Sequence, residues 1–199
     1  VVEMAQTSVQ KLARVLRVMV IVVFISNIIV LFFVPTLAAM FTENRWDGQT
    51  MERLLTGERV EFWLKFTVFS WNPVVWMFAL AGEDFYWPVL TLFLLSCGTC
   101  TAVILWQAKR VLDTILKGTP FVMDNAKSMR RAAICCFLIS GAAFLRLIWG
   151  FVTYKSILPL LTYNALFVPI FLMGGLLFLV MSALFRQAAQ IKAENDLTI

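Results

Sequence analysis

The chain contains no histidine. That removes the commonest general base and the commonest metal ligand at a stroke. Charge is also scarce. Of 199 residues, 15% are charged and 61% are hydrophobic, whereas a water-soluble domain carries about 25% and about 45–50%. The shortage excludes an ordinary soluble domain. Other signatures are missing as well: no P-loop, no Gly-rich dinucleotide loop, no serine with a partner base, and no carboxylates converging within the apolar runs. The expectation is a protein that is not an enzyme and holds no cofactor and no metal. Acidic residues number 12 against 17 Lys and Arg, for a net charge of +5. In a membrane protein such an excess reads as orientation, because Lys and Arg gather on the cytoplasmic side. No direct nucleic-acid contact is expected.

What is there is long apolar runs. Val18–Met40, Pro88–Ala108, Ala132–Tyr154 and Ala165–Phe185 each suffice to cross ~30 Å of hydrocarbon as a helix. The expected fold is an all-α integral membrane protein. It is a four-transmembrane-helix bundle in a single membrane domain over residues 1–199, with spans at 18–40, 88–108, 132–154 and 165–185. An extracytoplasmic segment fills 42–87, a cytoplasmic turn 109–131 and a cytoplasmic tail 186–199. Lys11, Arg14, Arg17, the turn residues Lys109, Arg110, Lys117, Lys127, Arg130 and Arg131, and Arg186 and Lys192 then lie inside. Arg45, Arg53, Arg59, Lys65 and Lys155 lie outside. Both termini are expected in the cytoplasm of a bacterium, with the protein in its inner membrane. The first run exceeds the 7–15-residue apolar core of a signal peptide, so it is expected to stay as an anchor.

A fifth apolar stretch, "FWLKFTVFSWNPVVWMFALA" (Phe62–Ala81), is rejected as a span. Crossing there would put the basic N-terminus outside, and Lys65 and Pro73 interrupt it. Val60, Phe62, Leu64, Phe66 and Val68 alternate with more polar neighbours, and Asn72-Pro73 is a turn signal. A β-hairpin within 59–80 is expected, lying over the outer helix ends. A helix with Phe62, Phe66 and Phe69 on one face is the competing reading. Trp63, Trp71, Trp76, Tyr86 and Trp87 suit the bilayer interface.

The turn "ILKGTPFVMDNAKSMRRAA" (Ile115–Ala133) is polar and basic between oily neighbours. Gly118 is placed to stop one helix, Thr119-Pro120 reads as extended, and Asp124 suits the start of the next helix. This turn and the ending "FRQAAQIKAENDLTI" (Phe185–Ile199) resemble the bacterial membrane family known as domain of unknown function 2975. The likeness rests on Gly-x-Pro-Phe, the following Asn and the paired basic residues, and on the Glu-Asn-Asp-Leu-Thr ending. Val122 departs from the pattern, where Thr or Ser would cap. The resemblance implies a four-span protein of the plasma membrane with no assigned reaction. It also implies a neighbouring small helix-turn-helix regulator as a cytosolic partner.

Several residues stand out for chemistry. Cys97-Gly-Thr-Cys100 forms a C-x-x-C, with Cys135-Cys136 in the next span. Cys97 lies roughly 14 Å down its helix, and Cys135 is expected near the inner face, so the pairs should sit at different depths. Buried apolar thiols are inert, and four-residue spacing of Ser96, Cys100, Ala132, Cys136 and Ser140 reads as small residues letting helices approach. Arg146 is the one ionisable residue well inside a span. It is expected to snorkel or to pair with Glu83 or Asp84, or else to serve a ligand. Asn27 is expected to make an interhelical hydrogen bond. The aromatic segment Phe62–Trp87 reads as an interfacial cap, with an apolar-ligand site as the alternative.

The cytoplasmic surface is the leading partner site: Lys117, Arg130 and Arg131 on the turn, Glu194, Asn195 and Asp196 on the tail. Val111, Leu112, Ile115 and Leu116 are expected to give the second helix a protruding apolar face. Membrane lipids are expected partners of the basic residues and of the spans. The favoured function is a non-enzymatic regulator or sensor that engages a cytosolic partner such as a helix-turn-helix transcription factor. The alternatives are a small transporter or channel, formed as a homo-oligomer, and a membrane thiol oxidoreductase.

Overall fold

The computed structural model describes residues 2–42, 67, 68, 71, 72, 86–155 and 163–197. Nearly all belong to four long helices: α1 (Val2–Thr42), α2 (Tyr86–Leu116), α3 (Met123–Tyr154) and α4 (Tyr163–Leu197). Each apolar run lies inside one of them. All four are long and apolar enough to cross a membrane, and no strand occurs among the described residues. The physics is direct: in lipid no water is available to backbone groups, so a spanning segment must close its hydrogen bonds within itself.

The helices outrun the oily stretches at the ends that carry basic residues. α3 starts at Met123, before the paired arginines, and α4 continues to Leu197. Beyond Phe185 that continuation adds about 18 Å at 1.5 Å per residue.

The expected hairpin is corrected where it can be compared. Of residues 59–80, only Thr67, Val68, Trp71 and Asn72 are described. Thr67 and Val68 are helical, and the Trp71 amide closes a turn on the Val68 carbonyl at 3.3 Å. At Thr67 and Val68 the competing helical reading fits and the strand does not. A lone two-stranded hairpin leaves two edges of unpaired backbone, which a helical turn avoids. The remainder of 59–80 lies outside the described residues.

The chain divides into two units, Val1–Asn27 with Thr99–Ile199, and Ile28–Gly98. In the first unit α3 is central. It is the most buried of the four spans, and α4 is the least. Two buried stripes run along α3. Asn125, Ser128, Ala132, Cys135 and Ile139 form one; Ala126, Ala133, Cys136, Ser140 and Ala143 form the other. The first meets α2 through Asn125, whose amide reaches Thr114. The second meets α4. Ser140 Oγ donates to the Val168 carbonyl at 2.9 Å, and Ser182 Oγ donates to the Ala126 carbonyl at 2.7 Å.

Between these two bonds the helices touch through small residues. A Cβ on Gly175 would lie 2.7 Å from the Phe137 ring, and one on Gly174 would lie 4.0 Å from Cys136 Sγ. Helices in lipid gain nothing by hiding oil from oil, so close packing and interhelical hydrogen bonds must hold them together. The small-residue expectation holds for Ala132, Cys136 and Ser140, which are buried. It fails for Ser96, which is exposed and bonds back to the Phe93 carbonyl of its own helix at 2.8 Å.

In the second unit, the Leu31 side chain of α1 packs directly on Gly98 of α2, where a Cβ would require Leu31 to shift. Pro35 lies inside α1, which continues through it to Thr42. Just before Pro35, the Trp71 indole donates to the Phe32 carbonyl at 2.9 Å, and the Trp71 and Phe32 rings stack 6.5 Å apart.

Candidate functional site

The turn between α2 and α3 is built by identifiable local rules. Gly118 takes φ +74°, a left-handed conformation that glycine alone adopts without a Cβ penalty. Its amide donates to Ile115 at 3.0 Å and the Thr119 amide donates to Thr114 at 3.1 Å. This is the paired 5→2 and 6→1 pattern of a Schellman stop. α3 then begins without a side-chain cap, because Val122 at the N-cap has no oxygen to offer. Asp124 in the first turn supplies the favourable charge instead, and pairs on the surface with Lys127 at 3.4 Å.

Asn125 locks this turn. It is 1% exposed. Its Nδ2 donates to Thr114 Oγ1 at 2.6 Å and to the Pro120 carbonyl at 2.7 Å. Thr114 Oγ1 in turn donates to the Val111 carbonyl at 2.7 Å. One amide thus ties the last turn of α2, the loop and the first turn of α3. Phe121 leaves the loop to meet Phe185 of α4, ring centroids 6.3 Å apart, and the Ser182 bond to Ala126 joins the same region. The ends of α2, α3 and α4 therefore form one braced corner.

On that corner Lys117, Arg130 and Arg131 are all exposed, as are Arg186 and Lys192 on α4. Glu194 and Asn195 are exposed near the end of α4, and Asp196 lies in its last turn. Cations thus dominate the corner, with acidic groups following at the tip of α4.

The protruding end of α2 does not offer the apolar face expected of it. Val111 is 5% exposed and Leu112 is 7% exposed, while Ile115 and Leu116 are half-buried. This face is consumed inside the protein. α1 meets another side of the same helix: Arg17 Nε meets Asp113 Oδ1 at 2.7 Å, and the Phe24 and Trp106 ring centroids are 5.8 Å apart. Lys109 Nζ sits 4.8 Å from the Trp106 ring centre, a cation–π contact at the level where lysines leave hydrocarbon. The Arg17–Asp113 pair was not legible in the sequence, where Arg17 counts only toward orientation.

Within the spans, the hydrogen bond expected of Asn27 is missing at its oxygen. Asn27 Oδ1 is buried without a partner among the described residues, and so is Gln107 Oε1 of α2. Gln107 was passed over in the sequence, although a glutamine 6% exposed within a span is a costly placement.

Arg146 is half-buried on α3, about 12 Å before its end at Tyr154. Glu83 and Asp84, its suggested partners, lie outside the described residues. Arg146→Lys is expected to keep thermal stability in micelles within about 1 kcal/mol, because lysine snorkels equally well. A larger loss would assign Arg146 a contact that only a guanidinium makes.

The expected difference in depth between the cysteine pairs does not hold. α3 starts at Met123, so Cys135 lies about 18 Å along it. There its thiol lies near that of Cys100. All four cysteines are free thiols, and the described residues hold no group of three or more metal-ligating side chains.

Four apolar helices and a basic, internally braced corner define a multi-pass membrane protein. A family model described as "Protein of unknown function (DUF2975)" matches residues 67–199, and the chain belongs to that family. The match takes in the Gly118–Arg131 turn and the Glu194–Ile199 ending. No curated protein and no solved structure matches the chain.

Proposed function

We propose that this protein is a non-enzymatic regulator of the bacterial inner membrane, with both termini and the 109–131 turn in the cytoplasm. The braced corner presents Lys117, Arg130 and Arg131 to a cytosolic protein partner, and Glu194, Asn195 and Asp196 flank the same surface. The supporting observation is Asn125. A buried amide that fixes the turn to two helices holds exposed arginines in a defined geometry, as recognition needs and as diffuse lipid attraction does not. The partner suggested by the family resemblance is a small helix-turn-helix transcription factor.

The test is co-purification of that regulator with the full-length protein in mild detergent. Arg130→Glu with Arg131→Glu, or deletion of Glu194–Ile199, is expected to lower the recovered partner at least about tenfold, the equivalent of about 1.4 kcal/mol. Unchanged recovery in both variants would discard this surface.

A second reading, a small oligomeric transporter or channel, draws on Asn27 and Gln107, whose buried oxygens lack partners among the described residues. Polar groups of this kind within a bundle mark pathways in other membrane proteins. Ion flux in proteoliposomes, abolished by Gln107→Leu, is the result that would favour it.

A further inference from the structure

We propose that Trp71, between α1 and α2 in sequence, sits at acyl-chain depth in the bilayer with its indole sealed against the backbone of α1. The inference stands on the membrane-spanning class alone and is independent of the regulator reading.

The depth follows from a ruler internal to one unit. α2 enters its span at Pro88. Gly98 lies ten residues further on, about 15 Å along the axis, half of a ~30 Å hydrocarbon layer. Leu31 of α1 is pressed against Gly98, so α1 passes the same level at Leu31. Trp71 bonds to and stacks on Phe32, the next residue. Trp71 is therefore near mid-depth, far from either headgroup layer.

The chemistry of the contact agrees. A tryptophan at the membrane interface keeps its N–H toward water and headgroups. Here the N–H is spent on a helix carbonyl at 2.9 Å, while the residue is 42% exposed and Phe32 is 45% exposed. In an acyl environment an indole N–H without an acceptor would be costly, and an exposed ring would not. The missing N–H of Pro35 leaves the neighbouring Leu31 carbonyl without its ladder donor, and the Phe32 carbonyl has two lone pairs, so it can accept the indole beside its own helix bond. One turn before Trp71, Val68 is 64% exposed and apolar, while the polar Thr67 is wholly buried. Apolar side chains out and polar ones in is the arrangement lipid selects.

The kind of partner is thus the lipid acyl chain, and the device is a wedge beside Pro35. The expected interfacial cap gives way, at Trp71, to an intramembrane dock.

Depth-dependent quenching tests this. The parent and Trp71→Phe are reconstituted in phosphatidylcholine brominated either near the middle or near the top of its acyl chains. The chain has seven tryptophans, so the difference between parent and variant isolates Trp71. The deep bromines are expected to quench that difference roughly twofold more than the shallow ones. Stronger quenching by the shallow lipid overturns the proposal.

Should Trp71→Phe fail to fold, Val68→Cys leaves the indole in place. A charged maleimide is expected to label it no more than the parent, whose native thiols set the background, while Lys155→Cys labels fully. Labelling of Val68→Cys at the rate of Lys155→Cys overturns the proposal equally.

Discussion

Asn125→Leu is expected to destabilise the protein by about 2–4 kcal/mol, read as a fall in the denaturant midpoint in mixed micelles. The amide is 1% exposed and supplies both donors that hold the corner, to Thr114 Oγ1 and to the Pro120 carbonyl. Leucine fills the same space and donates nothing. Two half-buried acceptors then lose their partner, and each such loss costs up to about 1–3 kcal/mol. The damage should be local first. Hydrogen exchange of the Gly118 and Thr119 amides, which close the end of α2, should accelerate before the rest of the bundle responds. Asn125→Asp should be worse than leucine, since a carboxylate facing two oxygens adds a buried charge to the loss of donors. If Asn125→Leu matched the parent in midpoint and exchange, the bond network would be incidental, and the rigid corner proposed for recognition would lose its support.

Gly175→Leu is the second large effect. A Cβ at Gly175 already meets three atoms of the Phe137 ring at 2.7 to 3.0 Å. Overpacking of this sort costs about 1–3 kcal/mol, and leucine adds three further carbons beyond that Cβ. Phe137→Ala in the same chain should recover part of the loss, giving a measurable coupling between the two positions. Gly174 is the built-in control. Its hypothetical Cβ touches only Cys136 Sγ, at 4.0 Å, so Gly174→Ala should be nearly neutral. Equal losses for Gly174→Ala and Gly175→Leu would mean that the α3–α4 packing described here is wrong.

These two positions also show what a sequence can disclose. The spans were legible because twenty or so apolar residues admit few other readings. Gly118 was legible as a helix stop, since glycine followed by Thr-Pro leaves little choice, and α2 does end just before it at Leu116. Asn125 was visible only as a letter in a pattern. Its two acceptors lie five and eleven residues away, and which atoms it reaches depends on how the turn closes. The apolar face of Val111 and Leu112 was visible, but its occupant was not. Periodicity shows that a face is oily and is silent about what covers it. The start of α3 was legible at Asp124, one residue from Met123, but the nearness of Cys135 to Cys100 was not, because it depends on how α2 and α3 pack. Trp71 was the hardest of all. An aromatic residue beside Asn-Pro suits a water-facing turn as well as a buried one, and only its acceptor, Phe32, tells them apart.

The two serine bonds along α3 and α4 bear on how the molecule can move. Ala126 and Ser140 are fourteen residues apart on α3, about 21 Å, and each level is pinned to α4, through Ser182 and Val168. Two rods riveted at points so far apart cannot slide lengthwise past one another without shearing both rivets. A shared tilt or bend keeps both bonds, whereas a piston-like translation has to break the two together.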